Sequence, residues 1–258
     1  MVRIKRLGTS IVIGMTTMVV LAGTACHAIN GYVEAQEENY DQLRFDGVEH
    51  LMLTNSKGRP LCLPLSDNPI AIVLKNFTEE ERLDAINAIQ RLDNISENLE
   101  YVVLENDDYS IKQKIIIHNK ADLDSRDHSD AFGLAEFTFN ENKAEINYPI
   151  NIYIDESCQG IYDTNGVSLL SYVIKHEMMH TLGFADLYTD EYYNKSVMYY
   201  SIKNGMELND YSKFDEQNIK KLYDNEYVKV VRPSHMLYTS YVNNTAACSG
   251  KEDDGMEF

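Results

Sequence analysis

Five residues of types that can do chemistry fall within eleven positions: His176, Glu177, His180, Gly183 and Asp186. If this stretch is helical, a spacing of four puts both imidazoles on one face, one turn apart. There two nitrogens can meet one Zn²⁺ at about 2.0–2.1 Å. Glu177 neighbours a ligand without being aimed at the ion, a position from which it can hold a water and act as general base. Gly183 can take the left-handed backbone that ends a helix and reverses the chain, which brings Asp186 back towards the metal. Two imidazoles and one carboxylate leave a fourth position open, the arrangement of a catalytic rather than a structural zinc. The competing, bland reading is a buried helix with two satisfied histidines.

The elements that must position these groups can be read from periodicity. Leu169, Leu170, Tyr172 and Val173 lead a helical pattern into His176 and His180. Upstream, Ile70–Leu74 is an apolar run of strand length. Thr78 and Glu81 then form a capping box, and Leu83, Ile86, Ile89, Leu92 and Ile95 recur at near-helical spacing, so 79–96 is expected as an amphipathic helix. Strands are expected at Leu99–Leu104, Lys114–His118, Leu134–Asn140 and Ile146–Asp155, with a turn at Asn140–Lys143 between the last two. A strand, a helix and then several strands imply an α/β (α+β) sandwich with a mixed, twisted sheet. An extended peptide is expected to add along an edge strand, Leu134–Asn140.

With those residues in place, the run from His176 to Asp186 resembles the metzincin metallopeptidases in their snapalysin-type form, in which Asp follows H-E-x-x-H-x-x-G-x-x. Tyr188 is similar to the Asp-x-Tyr continuation of that form. Lys195-Ser196-Val197-Met198-Tyr199-Tyr200 resembles the Met-turn of the family, which implies that Met198 packs beneath the zinc site. Tyr200, two after Met198, resembles the astacin-type tyrosine that ligates zinc and swings to the transition state. Leu208–Tyr223, with Asp215, Ile219, Leu222 and Tyr223, is similar to the terminal helix of matrixin catalytic domains. The resemblance covers about residues 69–226 and implies a zincin fold with an active-site helix, a Met-turn and a C-terminal helix. It implies a zinc-dependent endopeptidase acting on protein or peptide substrates as a monomer. Two alternatives stand beside it. One is a non-catalytic secreted binding or adhesion protein on the same scaffold. The other is a gluzincin-type peptidase whose third ligand is a later Glu, Glu191 or Glu207.

Composition narrows the classes without choosing among them. The 258 residues hold 23 Lys and Arg against 41 Asp and Glu, a formal charge of −18. That balance repels phosphate backbones and disfavours nucleic acid as a partner. Arg3, Lys5 and Arg6 precede an uncharged apolar stretch, Ile11–Ala22, and small residues, so 1–28 reads as a secretory signal peptide. A lipid anchor at Cys26 or a retained signal helix are the alternatives for localisation. After export 20 Lys and Arg remain against 41 Asp and Glu, −21, and no later run is long enough to span a membrane. Residues 29–68 form an arm or short propeptide, and 227–258 a polar tail. Cys62 lies among Arg59, Pro60 and Pro64, which faintly resembles the matrixin inhibitory thiol, while Cys158 and Cys248 are its disulfide candidates. Asp122, Asp124, Asp127 and Asp130 could offer oxygens to Ca²⁺, though without EF-hand spacing, and a solvated acidic loop is the rival.

Overall fold

The computed structural model describes residues 45, 47–65, 68–123, 128, 131–202, 207–208 and 210–224, and the backbone of 241–249. Residues 1–28, with Cys26, and Asp124, Asp127 and Asp130 therefore lie outside the described residues. The elements are β1 (Ile70–Lys75), α1 (Glu79–Asp93), β2 (Tyr101–Leu104), β3 (Lys114–Ala121), β4 (Ala131–Asn140), β5 (Glu145–Asp155), α2 (Leu169–Thr181), α3 (Lys213–Tyr223) and β6 (Tyr241–Ser249). The expected mixed α/β architecture is present.

One sheet runs in the order β2-β1-β3-β5-β4-β6. The strands β2, β1, β3 and β5 are parallel, each connected through a crossover or long loop, whereas β4 turns back antiparallel on β5. Alternate residues of the strands, Ile70 and Ile72, Ile115 and Ile117, Ile150 and Ile152, enter the main core with α1 and α2. On the opposite face Leu123, Ala131 and Leu134 form a smaller cluster. The helix α1 begins at the expected capping box, Thr78 Oγ1 accepting from the Glu81 N–H and Glu81 accepting from the Thr78 N–H. Its inner face is Ala85, Ala88, Ile89 and Leu92; Leu83, expected on that face, is 62% exposed. At 100° per residue Leu83 lies away from Ala85 and Ala88, and the small alanines let α1 approach α2 closely.

Two findings depart from the sequence reading. The strand Leu134–Asn140 was expected to be an edge, yet β6 pairs with it antiparallel from Ala131↔Ser249 to Asn140↔Tyr241. A polar, aperiodic stretch can still add to a sheet through its backbone alone, which leaves no hydropathy signature. Residues 47–65 also pack as core rather than as a loose arm: Val48, Leu51, Met52, Leu61, Cys62 and Leu63 are all buried. Among the described residues no helix is long and apolar enough to cross a membrane.

Candidate metal centre

Helix α2 carries the histidine pair. Ser168 caps its start, accepting from the Ser171 N–H, and every residue from Leu169 to Thr181 except Ser171 is buried. The helix is enclosed on all sides, its polar residues included, so His176, Glu177 and His180 sit inside the protein with no exposure at all. The helix ends in a Schellman motif: the Gly183 N–H donates to His180 O at 2.9 Å and the Phe184 N–H to Met179 O at 3.2 Å. Gly183 has φ +95°, the left-handed region expected of it. A second constraint applies there, since a Cβ on Gly183 would stand 2.2 Å from Leu61 O.

The reversal delivers Asp186. Its Oδ1 lies 3.1 Å from His176 Nε2 and 3.6 Å from His180 Nε2. Ligand atoms each about 2.1 Å from a tetrahedral ion would be ~3.4 Å apart, so these separations suit one zinc. Among the described residues, His176, His180 and Asp186 are the group of His, Cys, Asp and Glu close enough to share a metal. The outer nitrogens are fixed as such ligands require: His176 Nδ1 is 2.6 Å from Val197 O and His180 Nδ1 is 2.8 Å from Phe184 O. With both Nδ1 atoms donating to carbonyls, both Nε2 lone pairs face the cluster. His180 Nε2 has no hydrogen-bond partner there. A buried, unpartnered acceptor beside a carboxylate is what a cation would satisfy.

Glu177 is the other buried polar group. Neither carboxyl oxygen has a side-chain partner, and the Ala135 backbone N–H on β4 favours its charged form. Burial raises its pKa to about 8, the nearby Asp186 charge adding to the rise while His176 opposes it. Burial likewise lowers His180 to about 4, with His176 acting in the same direction and Asp186 against it. For Asp186 burial pushes upward, but the hydrogen bond and charge of His176, with His180, hold it below the ordinary aspartate value. The Tyr188 hydroxyl is 3.5 Å from Asp186 Oδ2, and the Tyr200 ring lies 5.1 Å from that of Tyr188.

Met198 is buried beneath the loop. It lines a small apolar gap with Leu51, Met179, Phe184, Leu187 and Phe214. The segment around it is paired to the ligand loop, the Leu187 N–H donating to Met198 O at 2.8 Å and the Tyr200 N–H to Leu187 O at 3.2 Å. Three contributors were not read from the sequence. Gly133 on β4 faces Glu177, and a Cβ there would meet Glu177 Oε1 at 2.5 Å. Asp215, buried on α3, accepts from Ser196 Oγ at 2.5 Å and the Val197 N–H at 3.2 Å, so it anchors the residue whose carbonyl receives His176 through the adjoining peptide. Asp215 also closes the capping box with Ser212 that starts α3. The third is the carbonyl of Phe184.

Other candidates fall elsewhere. Cys62 does not reach the metal cluster: it is buried with Sγ 3.8 Å from Ala144 O, held by pairing of its backbone to Ala144 and Ile146. Cys158 is not its partner, its Sγ lying 3.5 Å from Phe132 O; the Cys248 side chain lies outside the described residues. Glu191 and Glu207 are exposed and outside the cluster, so neither supplies the third ligand of the gluzincin alternative.

No family model matches this chain, and no curated protein matches it. Among solved structures it is similar to high choriolytic enzyme 1, a hatching-enzyme zinc-protease from Oryzias latipes, with TM-score 0.38 and 14% identity over 67% of this chain and 98% of that chain. It is also similar to myroilysin, with TM-score 0.36 and 14% identity over 61% of this chain and 83% of that one. A second myroilysin structure gives TM-score 0.34 and 15% identity over 69% and 98%. Overlaps of this size are a likeness and not a family assignment.

Proposed function

We propose that this chain is a secreted, zinc-dependent endopeptidase with a metzincin-type site, in which His176, His180 and Asp186 hold the ion. One observation carries the reading: Glu177 is wholly buried with no side-chain partner for either oxygen, one residue from a ligand of a His₂Asp cluster. Burying a carboxyl without a charged partner is costly, and buried titratable groups in such clusters mark functional sites.

When bound, Zn²⁺ supplies Lewis acidity to a water and to the scissile carbonyl. Glu177 Oε takes the proton of the attacking water and returns it to the leaving nitrogen. Val197 O and Phe184 O keep the two imidazoles in one tautomer and one orientation. Tyr188, with Tyr200 against it, flanks the outer oxygen of Asp186. The acidic surface favours peptide over nucleic-acid substrates.

Glu177→Gln tests the proposal with little change in shape. Casein hydrolysis should fall by at least about 10³-fold while one equivalent of zinc remains bound. Hydrolysis at the wild-type rate in that variant would sink the mechanism.

A further inference from the structure

Within the segment 29–68, expected as an arm or short propeptide, residues 47–65 meet the loop that follows the histidine helix. The loop Gly183–Asp186 leaves the helix and must carry two functional groups, the Phe184 carbonyl that receives His180 and the Asp186 carboxylate. It is held there by a two-bond ladder. The Leu53 N–H donates to Gly183 O at 2.8 Å, and the Ala185 N–H donates to Leu51 O at 2.8 Å, with Met52 and Phe184 paired between them. Below this ladder Leu51 packs with Met179, Leu187 and Met198. Leu61 O closes over Gly183 so tightly that only glycine fits.

The segment is itself anchored at two further places. Cys62 pairs with the start of β5, its N–H donating to Ala144 O at 3.0 Å and its carbonyl accepting from the Ile146 N–H at 2.9 Å. The Tyr223 hydroxyl on α3 donates to Leu182 O at 2.7 Å and accepts from the Leu63 N–H at 3.0 Å, joining the segment to the end of the metal helix.

We propose that residues 47–65 are a permanent positioning element of the metal centre, retained in the active protein, and that any maturation cleavage falls on their N-terminal side. The proposal rests on the metal site assigned above, but not on peptidase activity. Outer-shell groups that orient ligands are typically worth 10–100-fold in metal affinity. Here the Leu51–Leu53 backbone orients the loop that supplies one ligand and the outer acceptor of another.

Leu53→Pro in the full chain deletes the N–H that reaches Gly183 O. Met52 already has the extended backbone that a following proline requires, φ −107° and ψ 145°. Leu53→Ala is the control that loses the side chain and keeps the N–H. Zinc affinity by chelator competition and the visible spectrum of the Co²⁺-loaded protein are the readouts, with far-UV circular dichroism for the fold. Leu53→Pro should weaken zinc about 10–100-fold and alter the Co²⁺ spectrum, while Leu53→Ala stays near wild type. A folded Leu53→Pro protein with unchanged affinity and spectrum overturns the proposal. N-terminal sequencing of the zinc-loaded secreted protein decides the matter even if the proline variant fails to fold. A start at or before residue 47 supports it, and a start after 65 with one equivalent of zinc overturns it. Wild-type protein that binds zinc but cleaves nothing would sink the peptidase reading and leave this one standing.

Discussion

Gly133→Ala places a single methyl between β4 and the carboxyl of Glu177. The glycine is not there for its backbone, since its φ lies outside the left-handed region; it is there because of what faces it. A Cβ would stand 2.5 Å from Glu177 Oε1, 2.8 Å from its Cδ and 2.7 Å from Val173 Cγ1. Relief to an ordinary contact of 3.4 Å requires the carboxyl to retreat by about 0.9 Å. Elsewhere in a strand the same change would stabilise by about 0.5–1 kcal/mol, whereas overpacking a filled interior costs about 1–3 kcal/mol. The net loss of stability should therefore be about 0–2.5 kcal/mol, short of unfolding. The effect on catalysis should be larger, because displacing a catalytic group by about 1 Å can cost 10²-fold, about 2.7 kcal/mol of transition-state stabilisation. The assay is kcat/KM on a quenched fluorescent peptide, beside zinc affinity and urea unfolding. Activity should drop about 100-fold with zinc affinity unchanged, because neither imidazole is touched. Wild-type kcat/KM in Gly133→Ala would refute the claim that this gap exists to seat Glu177.

Asp186→Ala should weaken zinc by at least about 100-fold in chelator competition, more than the loss of an outer-shell partner, and unchanged affinity would remove Asp186 from the centre. Asp215→Ala should release the Val197 peptide that His176 leans on, slowing hydrolysis and weakening zinc about tenfold; a loss of stability alone, with wild-type affinity, would reduce Asp215 to a helix cap. Stability should also depend on Asp210. Burial pushes its pKa up, but the Lys175 and Arg91 charges outweigh that and hold it below the ordinary 3.8. A depressed carboxyl stabilises the fold above its unfolded pKa and loses that contribution as pH falls through 3.8 and below. Asp210→Asn should accordingly lower the urea midpoint at pH 6 and leave it nearly unchanged at pH 2; an equal loss at both would show the ion pair to be irrelevant.

What was legible in the sequence had a local cause. The Thr78–Glu81 capping box placed the start of α1 to the residue, and the fourfold spacing of His176 and His180 with Gly183 behind them picked out side chains that come together with Asp186. Each of those depends on neighbours within a few positions. The missed features join residues far apart through groups that every residue carries. Gly133 and Glu177 meet across 44 positions only once β4 lies beside α2. The ladder between Leu51–Leu53 and Gly183–Ala185 uses backbone N–H and C=O alone, so no residue type announces it. Leu83 shows the opposite error. Its periodicity was real, but the close approach of α1 to α2 selected the alanine face and left leucine outside.

The pairing of β6 with β4 has a bearing on how the protein behaves in solution. Without it, the ten residues from Ala131 to Asn140, Ala-Phe-Gly-Leu-Ala-Glu-Phe-Thr-Phe-Asn, would present a long row of unpaired N–H and C=O groups with few charges. Such an edge is a template for pairing with another copy. The opposite edge is handled differently, by making β2 only four residues long. β6, with Asn243, Asn244 and Thr245 at its centre, replaces that apolar edge by a more polar one, so a chain shortened before residue 241 should be more prone to edge-to-edge association.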